Sequence, residues 1–115
     1  MTEFETALKS TDEIDLTTTG RVSGRLTSRP VWFVRQGGKL FLLPVSGSQS
    51  QWYKNLLKTP AIRLSASGSE YSINAAPVTA ADDVGQVIEL FRAKYGAGEV
   101  AKYYPDPDVA VEIAL

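Results

Sequence analysis

Leu26 to Val45 reads LTSRPVWFVRQGGKLFLLPV, and this stretch decides the fold. Val31, Trp32, Phe33 and Val34 form an unbroken apolar run inside a long predicted strand, Leu26 to Gln36. Gly37-Gly38 supplies the positive backbone angles of a tight hairpin, and Lys39 to Val45 returns as a second strand. Both runs are apolar on both faces, whereas a sheet with one wet face alternates apolar and polar residues. Something must therefore cover the second side. A barrel whose outer wall meets a second subunit would do so.

Working outward, Glu13 to Thr19 alternates Ile14 and Leu16 with acids and hydroxyls, and reads as a strand closed by a turn between Gly20 and Gly24. Before it, Thr2 to Lys9 places Phe4, Ala7 and Leu8 at helical spacing. After the hairpin, Ser48 and Gln51 have capping-box spacing. Trp52, Tyr53, Leu56 and Leu57 then form one helical face that Pro60 stops. Ile62, Leu64 and Ala66 alternate, as do Tyr71, Ile73 and Ala75 beyond Gly68, which predicts another hairpin. Thr79 can cap a helix carrying Val84, Val87, Ile88, Phe91 and Tyr95, ended by Gly96 and Gly98. Tyr103, Tyr104, Pro105 and Pro107 read as a rigid link to a last strand, Val109 to Leu115. The order is helix, three strands, helix, two strands, helix, strand. That pattern implies an α+β protein built on a small antiparallel barrel with short flanking helices, a single domain over residues 1–115.

The chain contains no cysteine and no histidine, which removes disulfides, thiolate nucleophiles, imidazole bases and the usual zinc ligands. No metal site is expected. Twelve basic against thirteen acidic residues give a net charge of -1, too little to track a nucleic-acid backbone, so no nucleic-acid partner is expected. No apolar run reaches the length of about 20 residues that a membrane span requires, and the acidic start is unlike a signal peptide. The expectation is a cytoplasmic protein without a membrane partner.

Chemistry by side chains alone would rest on carboxylates, lysine, tyrosine or arginine, and no paired acid and base is recognisable. Asp106 and Asp108 beside Pro107 read as a solvated turn, and Asp12, Glu13 and Asp15 as a wet approach to the first strand. The unusual feature is Arg21, Arg25 and Arg29, three guanidinium groups in nine residues beside the hydroxyls of Thr17 to Thr19 and Ser28. Guanidinium binds phosphate in bidentate fashion at any working pH, although a cluster of this kind also suits a solvated turn. Ser46, Gly47 and Ser48 lead towards a helix N-terminus, a second feature that favours anions. Trp52 and Tyr53 serve equally well as the inner face of that helix or as a wall against a ring system.

LTTTGRVSG, PVWFVRQGGKLFLL and WYKNLLKTPAIRL together resemble the deazaflavin (coenzyme F-420)-dependent nitroreductases, relatives of the pyridoxamine 5'-phosphate oxidase-like, FMN-binding split barrels. The resemblance spans about Leu16 to Leu64, and Phe91 to Gly96 is similar to domain of unknown function 2255. It implies a six-stranded antiparallel split barrel, a deazaflavin or FMN cofactor, hydride transfer to a quinone or nitro compound, and a homodimer. By the same resemblance Thr19, Gly20, Arg21, Arg25, Ser28, Arg29, Pro30, Val31, Ser46, Gly47, Ser48, Trp52 and Asn55 contact the cofactor. Trp32 and Tyr95 line the pocket of a small-molecule substrate. No residue is singled out as catalytic, since the cofactor would carry the chemistry. The chain departs from the family pattern in having Val22, Thr27 and Gly47 where many members carry Lys, Arg and Lys. Of the nearby arginines only Arg29 is placed by strand alternation to replace that charge. The alternative reading is a split-barrel binding protein that has lost redox activity.

Overall fold

The computed structural model describes residues 3–115, so Thr2 of the first predicted helix lies outside the described residues. The elements in chain order are α1 (Glu3–Leu8), β1 (Glu13–Thr19), β2 (Leu26–Gln36) and β3 (Lys39–Leu42), then a 3-10 turn (Gly47–Gln49) and α2 (Gln51–Lys58). They continue with β4 (Ala61–Ala66), β5 (Ser69–Asn74), β6 (Ala76–Val78), α3 (Ala81–Tyr95), α4 (Ala97–Tyr103) and β7 (Ala110–Ala114). All strand pairs are antiparallel, in the order β5-β4-β1-β2-β3-β7-β6. The sheet curls until the Tyr71 hydroxyl on β5 donates to the Ala114 carbonyl on β7 at 2.8 Å. This is the α+β split-barrel architecture, with seven strands rather than the expected six.

The extra strand is β6, whose short run contains Pro77. It pairs only with β7 at the sheet edge, where a residue without an N–H is tolerated. A second element absent from the sequence reading is α4. Gly96, at φ 96°, ends α3 and at once begins α4, so the glycine redirects the helix where it was expected to terminate it. Neither expected cap holds: α2 is preceded by Ser50 and α3 by Ala80, both without a side-chain capping bond.

The doubly apolar strands are explained by two cores of one chain. Phe33, Leu40, Leu42, Val111 and Ile113 point inward with Ile14, Leu16 and Leu64, and α1 and α2 plug this interior through Phe4, Leu8, Trp52 and Leu56. Val34, Leu43 and Ala110 point outward and are covered by Val87 and Phe91 of α3 and Val100 of α4. The expectation that a second subunit covers this wall is therefore corrected: the chain's own C-terminal helices do. Each such large apolar side chain contributes about 1.5–3 kcal/mol when fully buried, which holds α3 against the sheet without a partner.

Strand β2 changes partners part-way along. It pairs with β1 from Leu26 to Trp32 and with β3 only from Phe33 to Gln36. Just before β1 begins, at Asp12, Tyr95 takes over its role. Its hydroxyl accepts from the Phe33 N–H at 3.1 Å and lies 2.8 Å from the Phe33 carbonyl and 2.7 Å from the Asp12 carbonyl. The Lys94 ammonium also donates to the Phe33 carbonyl, at 2.8 Å. Burial pushes the Tyr95 phenol up to about 12 and the Lys94 ammonium down from its ordinary value.

Candidate functional site

The half of β2 that lacks β3 has a free edge, and α2 stands across from it. Two cavities lie along this edge, one of about 820 Å³ and one of about 270 Å³. Arg29, Gln51 and Trp52 line both, so they form the junction of a single two-chambered groove. The larger chamber has apolar walls from Val31, Trp32, Leu43, Trp52 and Tyr104, with Glu13, Ser46 and Gln49 as polar points. The smaller chamber is lined by Thr18, Thr27, Ser28 and Asn55 besides the junction residues. One chamber therefore suits a flat apolar body and the other a polar, hydrogen-bonding tail.

Among the described residues the Arg29 guanidinium has no hydrogen-bond or ion-pair partner, whereas Arg35, Arg63 and Arg92 are each paired with a glutamate. Arg21 is the opposite case. Its Nη1 donates to Asn55 Oδ1 at 2.8 Å and its Nη2 to Gln51 Oε1 at 2.7 Å, while its backbone N–H also reaches Asn55 Oδ1 at 3.2 Å. Lys58 completes the clamp by donating to the Arg21 carbonyl at 2.6 Å. With both amide oxygens held by Arg21, the NH₂ groups of Gln51 and Asn55 are the ends left to serve the chambers that these residues line. Arg21 thus reaches the groove only through two amides that line it, and does not line it itself.

Apart from Arg21, the positions named from sequence fall into three groups. Pro30, Val31, Trp32 and Ser46 line the larger chamber, Ser28 and Asn55 the smaller, and Arg29 and Trp52 both. A second group shapes the β1–β2 turn. Thr19 pairs with Leu26, the Gly20 N–H donates to the Arg25 carbonyl at 2.7 Å, and Arg25 is exposed at the turn. A third group is engaged elsewhere. The Ser48 N–H and hydroxyl both donate to the Asp108 carboxylate, at 2.8 and 2.6 Å, so they face that acid and not a helix-end anion. These bonds hold the Asp108 carboxyl below its ordinary range. Gly47 is packed so closely beneath Asp106 and Asp108 that a Cβ there would overlap them. The Asp-Pro-Asp turn is therefore a fastener for the loop. Tyr95 stacks on Trp32, ring centroids 4.2 Å apart, behind the chamber wall and not in it.

Several groove residues were not singled out from sequence. Gln49 carries no distinctive spacing, Gln51 reads in the sequence as half of a capping box with Ser48, and Glu13 reads as part of a solvated strand entrance. Tyr104 sits within the aromatic link, where only α4 decides which way each ring faces.

A family model, F420H(2)-dependent quinone reductase, matches residues 2–114. The chain belongs to this family. No match is found among curated proteins. Among solved structures, one described as an F420-H2 dependent reductase superposes with a TM-score of 0.67 at 18% identity, covering 88% of this chain and 92% of that one. A Listeria innocua structure classed with pyridoxamine 5'-phosphate oxidase gives 0.69 at 15% identity, over 96% and 88% of the two chains. A heme storage protein from Vibrio cholerae gives 0.72 at 15% identity, over 97% and 86%. These likenesses establish the split-barrel fold, and the heme protein among them illustrates that fold alone does not select a cofactor. Among the described residues no helix is long and apolar enough to cross a membrane.

Proposed function

We propose that this member of the quinone reductase family is an oxidoreductase that binds deazaflavin F-420 or FMN and reduces a small organic acceptor, a quinone foremost. The observation that carries this reading is the unpaired Arg29 guanidinium at the junction of an apolar chamber and a polar one. A ring bound between Trp52 and Trp32 would place its phosphate-bearing tail beside Arg29, Ser28 and the amides of Gln51 and Asn55. The donor set is neutral apart from Arg29, so that one cation compensates for the lysines the sequence lacks. The bound cofactor would supply the hydride chemistry. The chain's residues bind, orient and exclude water: Leu43 and the two indoles desolvate the ring, and Arg29 fixes the tail by a charge-assisted bond.

We further propose that the protein works as a cytoplasmic homodimer of single-domain subunits, independent of nucleic acid and membrane. Val22 and Leu26 are 93% and 64% exposed around the β1–β2 turn, and Leu57 on the adjoining helix end is 53% exposed. Such apolar groups beside a free strand edge favour burial against a second copy.

The test compares FMN with riboflavin, which has the same ring but lacks the phosphate, and repeats the titration with F-420. Arg29→Ala should weaken FMN about 10- to 100-fold while changing riboflavin less than about twofold, as expected for one charge-assisted hydrogen bond. Equal losses for both ligands would place Arg29 away from the phosphate, and no binding of any of the three would refute the reading. Oxidation of the bound reduced cofactor by a quinone separates the enzyme from the alternative, a binding protein without redox activity.

A further inference from the structure

Tyr104 is 5% exposed, and its ring is gripped on more than one side. It meets Phe91 edge-on at 5.7 Å and Trp32 at 6.1 Å, and its backbone N–H donates to the Val100 carbonyl at 2.8 Å. Its hydroxyl forms no hydrogen bond with any described residue. Yet among the described residues no enclosed side-chain oxygen or nitrogen lacks a partner, so this oxygen is not sealed in. The open space that Tyr104 borders is the larger chamber. The hydroxyl is thus a donor with no protein partner, on a nine-tenths buried ring that borders a cavity, and a ligand there that carries an acceptor can use it.

The two tyrosines that also pack on Trp32 are placed differently. The Tyr95 hydroxyl is committed to Phe33 and Asp12, and Tyr103 is 44% exposed at the rim, edge-on to Trp32 at 5.3 Å. Burial pushes the Tyr104 phenol well above its ordinary value, so it remains a neutral donor at every working pH. Around it the chamber is apolar, with Trp32, Leu43 and Trp52, and the Glu13 carboxylate opposes a second negative charge.

We propose that the Tyr104 hydroxyl is a substrate-binding group, donating a hydrogen bond to a carbonyl oxygen of a neutral, planar quinone held in the larger chamber. The proposal rests on the oxidoreductase reading for its choice of acceptor and adds the residue that recognises it. Recognition by one buried donor favours a flat ligand with a carbonyl over the same ring without one, because only the former satisfies the phenol.

The test titrates wild type and Tyr104→Phe, with no cofactor present, with 1,4-naphthoquinone and with naphthalene, followed by calorimetry. Wild type should prefer the quinone, and the variant should lose about 3- to 10-fold on the quinone and nothing on naphthalene. With cofactor loaded, KM for the quinone should rise by the same factor, while cofactor affinity stays within about twofold. Infrared spectra provide a check that needs no variant: the carbonyl stretch of bound naphthoquinone should fall below its position in hexane. Equal losses on both ligands, a loss confined to the cofactor, an unshifted carbonyl stretch or failure of wild type to bind naphthoquinone would each overturn the proposal. Failure of the cofactor titrations alone would refute the oxidoreductase reading and leave the quinone comparison standing.

Discussion

Replacing Arg21 by alanine should cost the protein more in stability than in direct ligand contact, because its guanidinium is spent on α2. The side chain makes two good bonds, 2.8 Å to Asn55 Oδ1 and 2.7 Å to Gln51 Oε1, and a long one of 3.5 Å to the Gln51 carbonyl. Bonds from a charged donor contribute about 1.5–3 kcal/mol each when shielded, but Arg21 is only half-buried and water replaces part of the loss. The net cost should be about 1–2 kcal/mol, which for a domain of this size lowers Tm by about 4–8 °C. Freed from Arg21, the amides of Gln51 and Asn55 no longer present fixed donors, so FMN affinity should fall by a few-fold, less than in Arg29→Ala. Thermal unfolding monitored by circular dichroism, paired with FMN titration, reads both quantities. An unchanged Tm together with a loss of FMN affinity as large as that of Arg29→Ala would refute the reasoning, because Arg21 would then be touching the ligand and not the helix.

Tyr95→Phe removes the group that bridges Phe33 and Asp12 just before β1 begins, and should destabilise by about 2–3 kcal/mol in chemical denaturation. Because folding raises the Tyr95 phenol to about 12 from an ordinary 10.0, its contribution is complete below pH 10 and is lost as pH rises towards 12. The alkaline fall in stability should accordingly be shallower in the variant. Gly47→Ala should unfold at markedly lower temperature, since φ is 56° and the new methyl overlaps Asp106 and Asp108; a melt unchanged within 1 °C would contradict the packing. Asp108→Asn should loosen the same loop above the ordinary carboxylate range. The wild-type contribution, from a carboxyl whose pKa folding lowers, should itself fade as pH falls through that lowered value. Proteolytic susceptibility of the loop around Ser48 measures both effects.

Much of the fold was legible because it depends on local periodicity. The strands β1 to β5 and β7 follow from alternation and turn glycines, and α3 from its apolar stripe. β6 was not, because three residues around Pro77 carry no periodic signal and become a strand only by pairing with β7. The doubly apolar β2–β3 hairpin told correctly that both faces are buried, but not what buries them. That depends on where α3 returns, a contact of residues some fifty positions apart. In the site, Arg29 was picked from strand alternation and does lie at the groove. Arg21 belongs in the sequence to the same cation-rich turn, and only the approach of α2 makes it a clamp.

The sequence by itself determined the element types, the lack of histidine and cysteine chemistry, and the presence of a cation-rich turn beside a long apolar strand, because spacing and composition act over a few residues. Tertiary structure decided which arginine lines the groove, which tyrosine hydroxyl is left without a protein partner beside it, and that the Asp-Pro-Asp turn fastens the loop at Ser48. Each of those outcomes is a competition for hydrogen-bond partners, and the competitors come from segments far apart in the chain.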